Sequence, residues 1–288
     1  MTCSLFWPKA LRDALTVAGR GLPVFPLASN KLPALRSPHQ RGEACLGECG
    51  RPGHGVHDAT TDRDRIRALF HAAGRATGYG IACNRAPVNL IGLDLDRKNG
   101  VDGVAALRGL AHEHGFAIGS TVTVSTPSGG LHLWLLAPAG TVVPNSASRI
   151  GPGIDVRGQG GYLAGPGSWT PRGEYRLCPG TGATVAPVPP ALLRLMLPAP
   201  SATQPRQQTS PVGHGDDDAL VRFVRDAPRG QLNNRLFWAA CRAYEQAADP
   251  DTTAEQLLAA AIEAGHPERG AARTIASART RIAGRATR

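Results

Sequence analysis

Residues 89–96 (NLIGLDLD) form a short apolar run that ends in two aspartates, and this run decides how the middle of the chain folds. Such a run is typical of a buried strand. Alternate side chains of a strand share a face, so Asp94 and Asp96 should point one way and Leu93 and Leu95 the other. A spacing of roughly 6–7 Å between the two acids suits oxygen atoms that converge on Mg²⁺ or Mn²⁺. The alternative is a pair of acids that end a strand in solvent.

The charge of the chain points to a polyanionic partner. The net charge is +10 over 288 residues, and arginine supplies nearly all of the positive charge. Arginine makes planar, bidentate contacts with phosphate, although a genome that favours arginine codons would give the same bias. The absence of a long apolar run or signal peptide predicts a cytoplasmic protein without a membrane partner, in which the six cysteines stay reduced.

Residues 29–58 are rich in proline and glycine and predict a long loop. Within it, His39, Cys45, Cys49 and His54 have the short spacings of a structural zinc site, with His57 as a competing ligand. We therefore expect a zinc loop at residues 39–57. The alternative is a free loop with two reduced thiols.

The remaining periodicity up to residue 125 predicts alternating helices and strands. Thr61 is the expected N-cap of the second helix, with Asp64 three residues later in a pattern like a capping box. The predicted helices are at residues 9–18, 62–72 and 103–114, and the predicted strands are at residues 22–27, 78–83, 88–94 and 121–125.

A glycine turn follows at residues 126–130 (TPSGG) and feeds a strand that contains His132. Ser128, Gly129 and Gly130 can present backbone N–H groups to an anion, and His132 projects from the strand beside them. This combination suits a nucleoside triphosphate. An ordinary hairpin with a core histidine explains the same residues.

Residues 151–168 are dense in glycine and contain Asp155 and Arg157 two positions apart. On one strand these two side chains share a face, which would place a third carboxylate beside a phosphate-binding cation. A simple ion pair within the strand is the alternative.

The last third of the chain changes character. Proline-rich sequence runs through residues 179–216, with a short helix predicted at 191–197, and helical periodicity continues from residue 217. Thr252 or Thr253 is the expected N-cap of the third of these helices. We predict a catalytic domain at residues 1–197, a linker at 198–216 and a helical accessory domain at 217–288.

Three stretches taken together resemble the motifs of the bifunctional DNA primase/polymerase family of the archaeo-eukaryotic primase superfamily. The resemblance covers residues 11–197, and residues 55–62 are similar to a segment that precedes the catalytic strands in that family. The three stretches are residues 91–96 (IGLDLD), 128–132 (SGGLH) and 153–162 (GIDVRGQGGY).

The resemblance implies a role for each matching residue. Asp94, Asp96 and Asp155 would bind Mg²⁺ or Mn²⁺, and His132 would contact the phosphates of the incoming nucleotide. Arg157 and the turn at Ser128, Gly129 and Gly130 would support them.

The resemblance also bears on the rest of the chain. The family commonly carries a zinc hairpin near its core, which favours zinc at Cys45, Cys49, His54 and His39 and argues against His57. The expected fold is α+β, with a small sheet flanked by helices and an all-helical C-terminal domain. The helical region resembles the accessory modules of such proteins only loosely. Because the sequence contains no Walker motif, unwinding would require a separate helicase.

The expected function is that of a nucleotidyltransferase. It would act as a template-dependent DNA primase or polymerase on single-stranded DNA, with NTPs or dNTPs, in replication of a plasmid, phage or mobile element. Three carboxylates can hold the two cations, about 3.5 to 4 Å apart, that such chemistry requires. Two alternatives are a non-catalytic DNA-binding replication protein and an unrelated Asp-x-Asp enzyme that acts on nucleotide sugars.

Overall fold

The chain divides into two compact units, residues 1–199 and residues 200–288. A computed structural model describes residues 6–40, 43, 45–98, 100–182, 184–198, 217–227 and 232–286. Within these ranges, the first unit combines helices and strands in an α+β arrangement, and the second contains helices. No helix in the described ranges is long and apolar enough to span a bilayer. Residues 199–216, which make up nearly all of the predicted linker, lie outside the described residues.

The elements of the first unit are short. Its helices are α1 (Trp7–Ala18), α2 (Arg63–Ala72), α3 (Gly103–Glu113) and α4 (Pro190–Met196), with a 3₁₀ helix at Gly55–Asp58. Its strands are β1 (Val24–Leu27), β2 (Gly78–Ala82), β3 (Leu90–Leu95), β4 (Arg97–Lys98), β5 (Val101–Asp102), β6 (Thr123–Ser125), β7 (Leu131–Leu136), β8 (Ile154–Arg157), β9 (Tyr162–Ala164), β10 (Trp169–Thr170), β11 (Gly173–Glu174), β12 (Arg176–Leu177) and β13 (Ala186–Pro187).

A six-stranded sheet forms the centre of the first unit. Its order is β12-β6-β7-β3-β8, and β13 pairs with β7 in parallel. The other pairings are antiparallel, and β3 lies between β7 and β8. A smaller sheet has the order β1-β2-β9, so β2 and β3, which follow each other in the sequence, belong to different sheets.

The two faces of β3 pack against different cores. Ile91, Leu93 and Leu95 are buried in one cluster, which also contains residues of α3 and α4. Leu90 belongs to a second cluster with α1, α2 and the smaller sheet. Gly92 lies on the same face as Leu90, where a Cβ atom would be 2.6 Å from the side chain of Leu163. The strict alternation of the strand therefore leaves Asp94 on the face beside the smaller sheet.

Two helix starts differ from the predictions. The predicted N-cap Thr61 is wrong: Asp62 caps α2, because its carboxylate accepts hydrogen bonds from the amides of Asp64 and Arg65. The prediction of Thr252 or Thr253 is also wrong, because Asp249 fills this role for the corresponding helix. In both helices, a nearby aspartate instead accepts hydrogen bonds from free amides of the first turn.

The described part of the second unit is helical. They are α5 (Asp217–Arg225), α6 (Leu232–Gln246), α7 (Pro250–Glu263) and α8 (Glu268–Ala286). Their shared core is rich in alanine, including Ala239, Ala243 and Ala260, with Leu236 and Leu257 as larger members. Small side chains let helix backbones approach closely, so packing in this unit depends on few bulky residues.

The cap of α2 gives a direct test of its boundary. Replacing Asp62 with Ala removes the acceptor of two amide hydrogen bonds and should lower the free energy of unfolding by about 1 kcal/mol. Thr61→Ala is the matched control and should cost less than about 0.5 kcal/mol. Urea unfolding of both variants measures the difference. Equal losses, or a larger loss for Thr61→Ala, would contradict the assignment.

Candidate active site and metal centre

The register of three adjacent strands brings the predicted acidic residues and the histidine together. Asp94 of β3 lies directly opposite His132 of β7 on one side and Asp155 of β8 on the other. Residues opposite each other in a sheet have Cβ atoms about 5 Å apart on the same face. Two carboxylates and an imidazole that are distant in sequence therefore meet at one point of the central sheet.

Arg157 bridges the two carboxylates. Its Nη2 atom lies 2.8 Å from Oδ2 of Asp94 and 3.0 Å from Oδ2 of Asp155, so one guanidinium nitrogen donates to both. All three side chains are largely shielded from water. Charge-assisted hydrogen bonds of this kind are strong where solvent is excluded. In this arrangement the guanidinium supplies the positive charge that holds two neighbouring acids together.

The environment shifts the pKa values of the two acids in opposite directions. Burial raises the pKa of Asp94, but the hydrogen bond to and the charge of His132, with Arg157, outweigh this and hold that pKa well below its usual range. Burial also raises the pKa of Asp155, and the negative charges of Asp94 and Asp96 add to the effect. Arg157 does not fully compensate, so the pKa of Asp155 stays above its usual range. Two carboxylates share one guanidinium here, and a cation would neutralise the remaining negative charge.

Asp96 lies just beyond the end of β3. Its amide donates to the carbonyl of Gly153, and its carboxylate forms an ion pair with Lys98 at 2.9 Å. Its charge reaches Asp155, but its oxygen atoms are not gathered with those of Asp94 and Asp155 in the way that the ligands of a preformed metal site are. Within the described ranges, only the loop cluster considered below brings three or more such donor atoms within 4.8 Å of one another.

His132 is buried against Asp94. Its side chain is 4% exposed, Nε2 lies 3.5 Å from Oδ1 of Asp94, and the ring of Tyr175 lies over it with centroids 5.3 Å apart. Its Nδ1 atom is buried and has no hydrogen-bond partner among the described residues. The expectation from sequence was an imidazole facing phosphate. Here the imidazole lies beside Asp94, the residue directly opposite it in the strand pairing, and it also borders the cleft.

The glycine turn offers fewer free amides than expected. The amide of Gly129 donates to the carbonyl of Thr126, and that of Gly130 donates to the hydroxyl of Thr126. The prediction of three open N–H groups is therefore wrong for these two, because they close the turn. Ser128 contacts Thr126 through its hydroxyl at 3.0 Å. Glycine is needed at position 130 because a Cβ atom would lie 2.3 Å from the carbonyl of Leu95.

Asp94 opens onto a cleft of about 280 Å³. Its polar wall includes Asp94, His132 and Arg157, and residues 160–164 of the glycine-rich segment form another side. Close approach is built into that segment, since a Cβ atom on Gly161 would lie 2.2 Å from the side-chain oxygen of Asn145. Glycine at this position therefore allows the side chain of Asn145 to pack against the backbone of the segment.

Two residues of this cleft were missed from the sequence. Lys31 borders it with φ at 69°, a left-handed conformation that few residues other than glycine adopt. Its carbonyl accepts a hydrogen bond from the hydroxyl of Tyr162 at 3.0 Å, which holds the loop in place. Tyr175 is the second, and burial raises the pKa of its hydroxyl to about 12. Because the chain has three lysines, their scarcity could have drawn attention to Lys31. No feature of the sequence distinguished Tyr175.

A larger cavity of about 530 Å³ lies beside α1 and also includes Tyr175. Its charged wall is an ion cluster in which Nζ of Lys9 lies 2.7 Å from Asp13 and 2.9 Å from Glu174. Volume alone would favour this cavity. Asp94, His132 and Arg157 line the smaller cleft and not this cavity, so we assign the candidate active site to the smaller cleft.

The long loop forms a second constellation. The ligand atoms of His39, Cys45, Cys49 and His54 all lie within 4.8 Å of one another. Nε2 of His39 lies 3.2 Å from Sγ of Cys49 and 3.1 Å from Nε2 of His54, and the last two atoms are 3.4 Å apart. These are the four residues named from the sequence, and His57 is not among them. Two thiols and two imidazoles are a donor set that zinc favours.

Groups around the loop cluster support its use as a metal centre. Nδ1 of His54 lies 3.5 Å from the buried carboxylate of Asp58, which also accepts the amides of Gly53 and His54 at 2.7 Å. A carboxylate behind a histidine is typical of metal ligands because it orients the ring. A hydrogen bond from the amide of Arg51 is the main reason that the pKa of Cys49 falls to about 6. A lowered pKa favours the thiolate of Cys49, the form that binds metal.

Comparison with known proteins adds one match. The family model described as "Bifunctional DNA primase/polymerase, N-terminal" matches residues 14–191. This range is more than half of the 288 residues and contains both the carboxylate cleft and the loop cluster. No curated protein matches the chain. The helices from residue 217 onward lie outside the match.

Proposed function

The chain belongs to the bifunctional DNA primase/polymerase family, and on that premise we propose that it is a template-dependent nucleotidyltransferase that makes or extends DNA primers. The observation that carries the proposal is the register of the central sheet, which sets Asp94 between His132 and Asp155. The most fitting setting is replication of a plasmid, phage or other mobile element. The substrates are a single-stranded DNA template and NTPs or dNTPs.

We assign the binding of Mg²⁺ or Mn²⁺ to Asp94, Asp96 and Asp155. The donor set is all oxygen, as these hard cations prefer, and the one guanidinium of Arg157 is shared by two of the acids. When bound, the cations would lower the pKa of the attacking 3′-hydroxyl and stabilise the charge of the departing pyrophosphate. Asp96 would have to exchange its ion pair with Lys98 for this role.

Arg157 has a double role in this proposal. Without cations, its guanidinium keeps Asp94 and Asp155 close and ionised. If Asp94 and Asp155 held cations, the guanidinium would be available to a phosphate, for which its fork of N–H donors is well suited. The side chain is already at the wall of the cleft, so only a rotation is needed.

Positively charged side chains and His132 would hold the nucleotide at the cleft. Lys31 lies at the edge of the cleft, where its ammonium group can reach a triphosphate, and Ser128 lies at the turn before β7. His132 would donate to phosphate from its place beside Asp94. Tyr175 packs on the imidazole and positions it. Because two amides of the turn are already used, side chains rather than backbone would supply most of the phosphate contacts.

Primer synthesis and extension on a single-stranded template test the proposal. With NTPs and dNTPs in Mg²⁺ or Mn²⁺, the wild type should be active, and Asp94→Asn should lower the rate by about 10²-fold or more. Asp64→Asn is the matched control, because this exposed aspartate lies on α2 outside the cleft and should leave the rate unchanged.

Other results of the same assay would support other functions. DNA binding without synthesis in wild type and variant alike would contradict the proposal and indicate a non-catalytic replication protein. Template-independent turnover of a nucleotide sugar, lost in Asp94→Asn, would indicate an unrelated metal-dependent enzyme.

We further propose that the loop cluster of His39, Cys45, Cys49 and His54 binds a structural zinc ion. Four ligands close the coordination shell, which is the pattern of structural sites. The described residues of the loop have little regular structure apart from a short 3₁₀ helix, so the ion would replace a hydrophobic core as the source of order. Residues 1–197 would then form the catalytic domain, residues 198–216 a linker, and residues 217–288 a helical accessory domain.

Metal content tests the zinc site. Purified wild-type protein should contain about one zinc ion per chain, and Cys49→Ser should lose it together with thermal stability. Cys178→Ser is the control, since this half-buried thiol lies outside the cluster and its loss should leave the zinc in place. Elemental analysis after dialysis gives the ratio. Wild-type protein without zinc, or Cys49→Ser that retains it, would contradict the proposal.

A further inference from the structure

Two large aromatic side chains are exposed on the second unit. Trp238 of α6 is 48% exposed and Phe223 of α5 is 37% exposed, whereas Leu236 and Leu257 in the same unit are fully buried. Single exposed apolar residues are common and need no explanation. These two rings, however, touch each other, with centroids 5.1 Å apart and planes inclined by 59°. They form a continuous aromatic surface contributed by two helices.

A guanidinium lies over each ring. Cζ of Arg235 is 4.4 Å from the centroid of Phe223, and Cζ of Arg242 is 5.5 Å from that of Trp238. Arg235, Trp238 and Arg242 occupy positions i, i+3 and i+7 of α6, which share one helix face. We call Phe223, Arg235, Trp238 and Arg242 the aromatic platform.

The two arginines of the aromatic platform are held differently. Arg235 donates to the carbonyls of Phe223 and Asp226 at the end of α5, at 3.1 and 3.2 Å, and so ties α6 to the end of α5. Arg242 contacts Glu245 at 3.3 Å in an exposed pair. Exposed pairs of this kind stabilise little, so a phosphate can replace the carboxylate of Glu245. The surface is thus rigid at one end and open to an anion at the other.

We propose that the aromatic platform binds single-stranded nucleic acid by stacking bases on Trp238 and Phe223, with Arg242 on the adjoining phosphate. Proteins bind single strands without sequence preference by stacking bases on aromatic rings and on guanidinium planes, with cations on the phosphates. An apolar protein partner would fit less well, because covering the rings would also strip water from two guanidinium groups. The choice of nucleic acid as the partner rests on the proposed function. The geometry of the surface is independent of that function.

The aromatic platform differs from the carboxylate cleft in its chemistry. It contains no metal ligand, so binding there requires no divalent cation. Its role would be to hold the template strand, independent of nucleotide or catalysis. A duplex has its bases stacked and would not offer them to the rings, so the surface should prefer single strands.

Binding of labelled oligo(dT) to the full chain, followed by fluorescence anisotropy, tests the proposal. The measurements use the Asp94→Asn background without added divalent cations, so catalysis cannot contribute. Trp238→Ala should weaken binding by about 10-fold or more, and Trp238→Phe should restore most of it. Arg242→Gln should weaken binding and reduce its salt dependence. Ile262→Ala is the matched control, because this side chain of the same unit is 41% exposed and lies outside the aromatic platform.

Intrinsic fluorescence gives an independent reading of stacking. Oligo(dT) should quench the wild-type signal, and Trp238→Phe should lose most of that quenching although it still binds. Two results together would overturn the proposal. They are equal affinity of Trp238→Ala and Ile262→Ala for oligo(dT), and fluorescence quenching by oligo(dT) that is unchanged in Trp238→Phe.

The outcomes separate this proposal from the proposed function. A Trp238 effect on binding in a chain that makes no primer would leave the aromatic platform standing and remove the nucleotidyltransferase assignment. Primer synthesis abolished by Asp94→Asn, with binding unaffected by Trp238→Ala, would do the reverse.

Discussion

The contact of Arg157 with Asp94 and Asp155 is the interaction on which the candidate active site depends. Two neighbouring strands present carboxylates at directly opposed positions, which would be unfavourable without a positive charge between them. A single guanidinium nitrogen within 3.0 Å of both acids provides that charge. Burial nevertheless keeps the pKa of Asp155 raised. Because two acids share one guanidinium, the cluster suits a cation, and a displaced Arg157 would suit phosphate.

The rest of the first unit keeps these strands in register. On one face of β3, Leu93 and Leu95 pack against a core that includes α3 and α4, and on the other Gly92 lets β9 approach closely. A shift by one residue would turn Asp94 into that core and expose Leu93. The buried sheet therefore specifies the position of the acids far more strictly than their own interactions do. The loop cluster and the aromatic platform each have separate local support, from Asp58 and from Arg235.

Local patterns in the sequence predicted part of the candidate site, but they did not predict contacts between residues that are distant in the sequence. Alternation predicted that Asp94 and Leu93 face opposite sides, and short spacings predicted the four residues that meet in the loop. The opposition of Asp94 to His132 depends on strand pairing, which no local pattern contains. The turn at Gly129 and Gly130 was misjudged because a glycine that can bind an anion also suits a tight turn, and Thr126 took both amides. The sequence did not predict Tyr175 or the aromatic platform, because the residues that contact them belong to other helices and strands.

The central claim is that the acids of β3 and β8 form a cation site. Titration of the chain with Mn²⁺, with free Mn²⁺ followed by electron paramagnetic resonance, tests it most directly, since Mn²⁺ favours oxygen ligands over the thiols and imidazoles of the loop. The account predicts that wild type and Asp64→Asn bind Mn²⁺ alike and that Asp155→Asn binds it at least about 10-fold more weakly. Equal affinity in wild type and Asp155→Asn would contradict the account.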